Sequence, residues 1–409
     1  MVSLLTPAEV AQADAPPAPP AAAAVAPRGR RRHRQKRSRF DPYPFDPFLR
    51  NLVRLAFAVP FVLLAILADG EESVTLTGNW SLLVKLAGYP FGSSRLEDIA
   101  SFYPPVSSLL GAVLPGGSLG LGIAGALIAG FFLQKLLEIM VQREMSPWII
   151  TAFLLAVAAN PLFAYLAIGN LPVLLGMMFF GVGLSHMRRF ITLGATRDGF
   201  IAGLLFMLAA LSDSGAILYV VTAAAAAPFL SWRRGEQRGA RAASVFVLLF
   251  PTASAFASLV GLELLFRIDP IGPLMPLLAA TPQRFTELVT VLLPDATGAL
   301  LAAPVAAAWI ISIVVRRPGG IFASTLVFVA ILGGFTIGLV ASSSAGSTFV
   351  LMVLLAITLL GRPERGWRQV AVILVVLAHV PIAWATALDR QVVSAWMATL
   401  TDAAQALLG

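Results

Sequence analysis

Apolar stretches of roughly twenty residues, separated by short polar or proline-bearing breaks, recur from residue 51 to residue 387. At 1.5 Å rise per residue, most are long enough to cross the hydrocarbon of a bilayer. The pattern predicts spans over 51–68, 118–136, 148–166, 171–187, 242–266, 297–315, 319–341, 348–361 and 369–387. The expected fold class is therefore all-α, a polytopic transmembrane helical bundle.

The polar breaks fix the expected threading, because short cytoplasmic loops concentrate Lys and Arg. Arg143, Arg188, Arg189, Arg197, Arg233, Arg234, Arg238, Arg241, Arg316, Arg317, Arg362, Arg365 and Arg368 fall on one side. The loop 69–105, with two basic and five acidic residues, falls on the other. Segment 199–230 then begins and ends on the basic side, so it is not one crossing. Its ~32 residues make ~48 Å of helix, enough for two short legs turned at Ser212-Asp213-Ser214-Gly215. Interrupted helices of this kind occur where the broken backbone is buried in protein or lines a cavity. The count comes to about eleven spans, with the N-terminus cytoplasmic and the C-terminus outside.

Both ends differ from this plan. Residues 1–27 are Ala/Pro-rich with few large apolar side chains and are expected to be disordered. Residues 28–39, RGRRRHRQKRSR, hold eight Lys/Arg and no acid. They read as a cytoplasmic anchor to anionic lipid, and nucleic acid is not the expected partner. Residues 1–40 thus form a tail, 41–390 the membrane domain, and 391–409 an amphipathic helix lying on the outer surface.

Composition agrees. Of 409 residues 58% are hydrophobic and 12% charged, about half the charge fraction of a soluble domain. The net charge of +8 is mostly the basic tail. The chain has no cysteine, which excludes disulfides, thiol catalysis and zinc-thiolate sites. His33, His186 and His379 lie far apart, without ligand spacing.

Candidate chemistry sits in the acidic loop. Asp69, Glu71 and Glu72 close the first span, where partial desolvation suits a carboxylate to general-base work. The same oxygens suit a divalent cation. Glu97 and Asp98 precede Tyr103-Pro104-Pro105, and NWSLLVKLAGYPF between them has helical apolar spacing and is expected to lie flat on the membrane. Equally, acids collect in outer loops simply because bases are kept inside. Asp213 stands in an apolar context, where a carboxylate faces a cavity or a partner, or caps the second short helix. Glu263 and Arg267 have the spacing of a helical ion pair. Arg284 is either a solvated charge or a phosphate grip. His379 is expected to be neutral and bonded to a backbone carbonyl. Gly116-Gly117 and Gly333-Gly334 permit close helix approach.

Asp69-Gly70-Glu71-Glu72, Phe102-Tyr103-Pro104-Pro105-Val106, the block 158–190 and the block 196–221 together resemble the GT-C fold membrane glycosyltransferases. The likeness covers roughly residues 50–230. It departs where Gly70 separates the acids and where Asn170 stands in place of an acid. The resemblance implies transfer of a sugar from a polyprenyl-phosphate donor to an envelope glycan, lipid or protein acceptor, with inversion. Asp69 would be the base, Glu71 and Glu72 its assistants, and Glu97, Asp98, Tyr103, Asn170, Asp213 and Arg284 substrate contacts. The Ala/Arg/Pro-rich composition of this polytopic chain points to a bacterial inner membrane as its expected setting. Two other readings stay open: a transporter or flippase using Asp213 and His379, and a non-catalytic scaffold recruiting partners through its basic tail.

Overall fold

A computed structural model describes residues 42–69, 75, 77–89, 102–230, 238–266, 296–340, 344, 346–359, 366–389 and 391–408. The basic tail, Glu71, Glu72, Glu97, Asp98, Arg267 and Arg284 lie outside these, as does the side chain of Glu263. The fifteen helices among the described residues are α1 (Pro47–Leu67), α2 (Gly78–Ala87), α3 (Pro105–Val113), α4 (Gly117–Gln142), α5 (Pro147–Ala158), α6 (Pro161–Gly169), α7 (Leu171–Leu193), α8 (Thr196–Ser212), α9 (Ala216–Leu230), α10 (Arg238–Phe266), α11 (Ala296–Val314), α12 (Pro318–Thr336), α13 (Ser347–Leu359), α14 (Trp367–Asp389) and α15 (Gln391–Leu408).

Four helix starts share one local grammar, a polar capping residue followed by proline. Asp46, Ser146, Asn160 and Asn170 each accept a first-turn N–H, and Pro47, Pro147, Pro161 and Pro172 occupy the first turn. Proline there loses no hydrogen bond, and the cap satisfies a donor the helix leaves open.

Among the described residues six helices are long and apolar enough to cross a membrane: α1, α4, α7, α12, α14 and, over Ala242–Leu262, α10. The span expected over 148–166 is broken. It comprises α5 and α6, bent by 59°. The cause is Asn160-Pro161: proline drives the residue before it out of helical conformation, and Asn160 has φ −84° and ψ 116° and caps α6. Helix α13, expected to be a span, has 13 residues, and Val350 through Ile357 are all buried. A helix apolar all round is one buried in the middle of a large bundle or a membrane span enclosed by other helices.

Helices α8 and α9 realise the two short legs. Gly199, near the start of α8, packs on Phe190 of α7. Phe229 and Leu230, at the far end of α9, line the same cavity as Arg188 and Thr192 of α7. The legs therefore leave from and return to one end of the bundle. Charges gather at that end, where Arg143 lies close to Arg188, Arg189 and Arg317. Burial, and then these neighbours, hold the Arg143 guanidinium below its ordinary pKa. Its side chain donates to the carbonyl of Ile357.

The α1–α4 contact rests on small residues and one polar network. Gly130 of α4 meets the backbone of Arg54, and a side chain there would collide with it. Arg54 Nε donates to Gln134 Oε1 (3.1 Å), Gln134 Nε2 to Glu138 Oε2 (3.1 Å), and Lys135 pairs with Glu138 (2.8 Å). A carboxylate 7% exposed is thereby supplied with donors. Gly116 and Gly117 have φ +90° and +59°, so they serve a left-handed turn into α4, not the close approach expected of them. Gly334 does meet a neighbour, Leu218 of α9, while Gly333 has open space.

Two segments expected on the membrane surface also pack on the bundle. Helix α2 buries Asn79, Leu82 and Leu86 and exposes Trp80 and Val84. Helix α15 belongs to the same compact unit as the rest of the described chain. Its Trp396 is 2% exposed and stands edge-on to Tyr165 at 5.3 Å. Amphipathic spacing cannot distinguish a face meeting lipid from one meeting protein.

Candidate functional site

The turn between α6 and α7 organises the end of the molecule opposite the arginines. Asn170 Oδ1 accepts from Val173 N (3.3 Å) and caps α7. Asn79 of α2 bridges the junction: its amide donates to Ile168 O (2.9 Å) and its carbonyl accepts from Leu171 N (2.8 Å). Asn170 packs directly on Gly78. Asn170, expected as a substrate contact, serves here as a helix cap and is 3% exposed. Asn79, absent from the sequence candidates, carries more of the local order.

Two small cavities flank this turn. One, of about 20 Å³, is lined by Asp69, Thr77, Ser118, Gly169 and Trp396 among others. Asp69 itself is exposed. The other, of about 10 Å³, is lined by Val173, Asp213, Gly215, Tyr219, Ser344 and Ser347 among others. Each has room for little more than a water. Gly169 and Val173 are four residues apart, about 6 Å of helix.

Tyr103 reaches the end of α8, close enough for the Asp213 carboxylate to act on it, although the two segments are far apart in sequence. Tyr103 Oη donates to Ala210 O (2.8 Å), one of the last carbonyls of α8, which have no partner within the helix. The Tyr103 ring stands edge-on to Phe256 at 5.7 Å, and Lys85 Nζ donates to the Tyr103 carbonyl. Burial pushes the Tyr103 phenol up, and the Asp213 carboxyl adds to this. Burial pushes the Lys85 ammonium down.

Asp213 accepts from the backbone N–H of Gly215 and Ala216, so the capping role is realised at the start of α9. The same carboxylate acts on Tyr219 one turn along α9. Tyr219 is 4% exposed, and its hydroxyl is buried without a hydrogen-bond partner. Ser214 Oγ reaches Leu339 O (3.3 Å). The arrangement is a carboxylate between two phenols at a broken helix.

The remaining candidates lie apart. His379, 5% exposed, is bonded through Nδ1 to Val375 O (3.0 Å), the backbone contact expected of it. His186 Nδ1 lies 2.6 Å from Asp198 Oδ1, a pair the sequence spacing did not suggest. Among the described residues no group of three His, Asp or Glu gathers as metal ligands would. Comparison of the chain with family models, curated proteins and solved structures finds no match.

Proposed function

We propose that this chain is an integral membrane glycosyltransferase of the GT-C kind, working at the membrane face that carries Asp69. In this reading its topology is the eleven-crossing plan with a cytoplasmic N-terminus. The observation that carries the proposal is the contact of Tyr103 with the α8–α9 tip, Oη to Ala210 O at 2.8 Å with Asp213 beside it. The two segments whose motifs suggest the family are thereby neighbours, and Asp69 lies across a single turn from them.

Asp69, exposed at the end of α1, is placed to take the proton of an acceptor hydroxyl. The acceptor oxygen then bonds to the anomeric carbon of the donor. The bond from that carbon to the phosphate oxygen breaks, and polyprenyl phosphate leaves with the electron pair. The phenols of Tyr103 and Tyr219 and the carboxylate of Asp213 orient polar groups of the substrate beside the hairpin tip. The test is transfer from a radiolabelled polyprenyl-phosphate sugar by the purified protein in nanodiscs. Loss of a positioned base costs about 10²–10⁴-fold, so Asp69→Asn should fall by at least about a hundredfold. Full transfer by that variant removes Asp69 from the reaction.

One observation favours a transporter instead: Asp213 lines a cavity that Asp69 does not share. That reading requires solute flux into vesicles that Asp213→Asn abolishes and Asp69→Asn leaves intact.

A further inference from the structure

A cavity of about 260 Å³ bearing charge lies at the other end of the molecule. Arg188 and Thr192 approach it from the end of α7, Arg316 and Arg317 from the α11–α12 turn, and Gly319 and Gly320 from the first turn of α12. Among the described residues no carboxylate lines it. Asp198 lies nearby but engages His186 and, at 3.8 Å, Arg189. Arg188 and Arg317 are close enough to repel one another, and Arg143 adds a further cation behind them. Arg316 and Arg317 bring exposed guanidiniums to the concavity that Arg188 also lines, and planar forks of N–H donors match the oxygens of an oxyanion. The N-terminal end of α12, opening onto the same space, adds a positive dipole end.

The backbone supports the same reading. Arg316 has φ +56°, in the left-handed region where a helix normally ends on glycine. Its N–H bonds to Ile313 O and the Arg317 N–H to Ser312 O, so the turn is a glycine-type helix stop that carries arginine. A residue held in a disfavoured conformation at a cavity wall points to a role for its side chain. The remaining wall is apolar. Phe229 lines the cavity and packs at a tilt on Phe322, with ring centroids 4.7 Å apart, and both rings are exposed. An aromatic path thus leads from the guanidiniums to the outer surface of the helices. The volume approaches the ~300 Å³ lower bound of small-molecule pockets.

We infer that this cavity binds a phosphate oxyanion through Arg188, Arg316 and Arg317, as the headgroup of an anionic phospholipid whose chains lie along Phe229 and Phe322. The site is remote from Asp69 and does not depend on the glycosyltransferase reading. The test uses the full chain in detergent, with dioctanoyl phosphatidic acid as ligand, dioctanoylglycerol as the control lacking phosphate, and inorganic phosphate as competitor. Native mass spectrometry reads retention, and thermal unfolding reads integrity. Phosphatidic acid should bind saturably. Losing one bidentate contact should weaken it about tenfold in Arg316→Gly and in Arg317→Gln, and Arg197→Gln, outside the cavity, should bind as the parent. Arg316→Gly suits the left-handed turn, so its fold is retained. Competition by inorganic phosphate at concentrations similar to the lipid's would establish a soluble oxyanion as the ligand. Lipid binding that resists inorganic phosphate would establish the headgroup. Equal retention of dioctanoylglycerol, or undiminished binding by both cavity variants, overturns the site.

Discussion

Asn79 shows how one side chain holds a junction. It satisfies the carbonyl of Ile168 and the N–H of Leu171 at once, 1% exposed. Asn79→Leu leaves both backbone groups buried and unpaired. Each such loss costs roughly 1–3 kcal/mol, so thermal unfolding in detergent should show a loss of several degrees. Tyr219 is the opposite case. Its hydroxyl is buried with no partner, an arrangement that costs stability. Tyr219→Phe should unfold at the parental temperature or above it, and any fall in turnover then reports on substrate. Nothing in the order of residues marks either one. Asn79 sits in an ordinary amphipathic segment and Tyr219 in an apolar run, and both matter through partners distant in sequence. Asp213 was legible because a lone carboxylate among apolar neighbours must find donors, and it does so at the start of α9.

Among the helices, the local grammar was readable and the packing was not. Cap-proline pairs fix the starts of α1, α5, α6 and α7. One of them, Asn160-Pro161, also breaks what apolar length alone takes for a continuous span. Replacing Pro161 by Ala and Asn160 by Leu removes both the steric reason for the break and its cap. Spin labels at the outer ends of α5 and α6 should then report a longer separation as the 59° bend opens. A cap of this kind is worth about 1 kcal/mol, so Asn160→Ala alone should lower stability by that order and keep the bend. At the α11–α12 turn the sign is reversed. Relieving a left-handed arginine gains about 1 kcal/mol, and Arg316→Gly should raise the unfolding temperature slightly.

Across the whole molecule, charge counting placed the ends of the hairpin correctly: its two legs return to the cavity that Arg188 and Arg317 line. Such counting rests on apolar runs, and a run records only that a segment avoids water: α13 buries Val350 through Ile357 and α15 buries Trp396. The orientation is open to direct measurement, since a chain without cysteine accepts single cysteines cleanly. Ser38→Cys should react with an impermeant maleimide only after cells are opened. Asp402→Cys should react in intact cells.

Trp396 also sets an order of events. The cavity at Asp69 draws walls from α1, α4, the α6–α7 turn and, through Trp396, from α15. The ribosome delivers Asp69 more than three hundred residues before Trp396. A nascent chain that has threaded every helix before α15 still lacks that wall, so the pocket matures only after α15 is made. Ribosome-bound intermediates stalled before residue 391 would carry Asp69 in an open cleft, and a nonsense mutation just before codon 391 would be felt at the first helix.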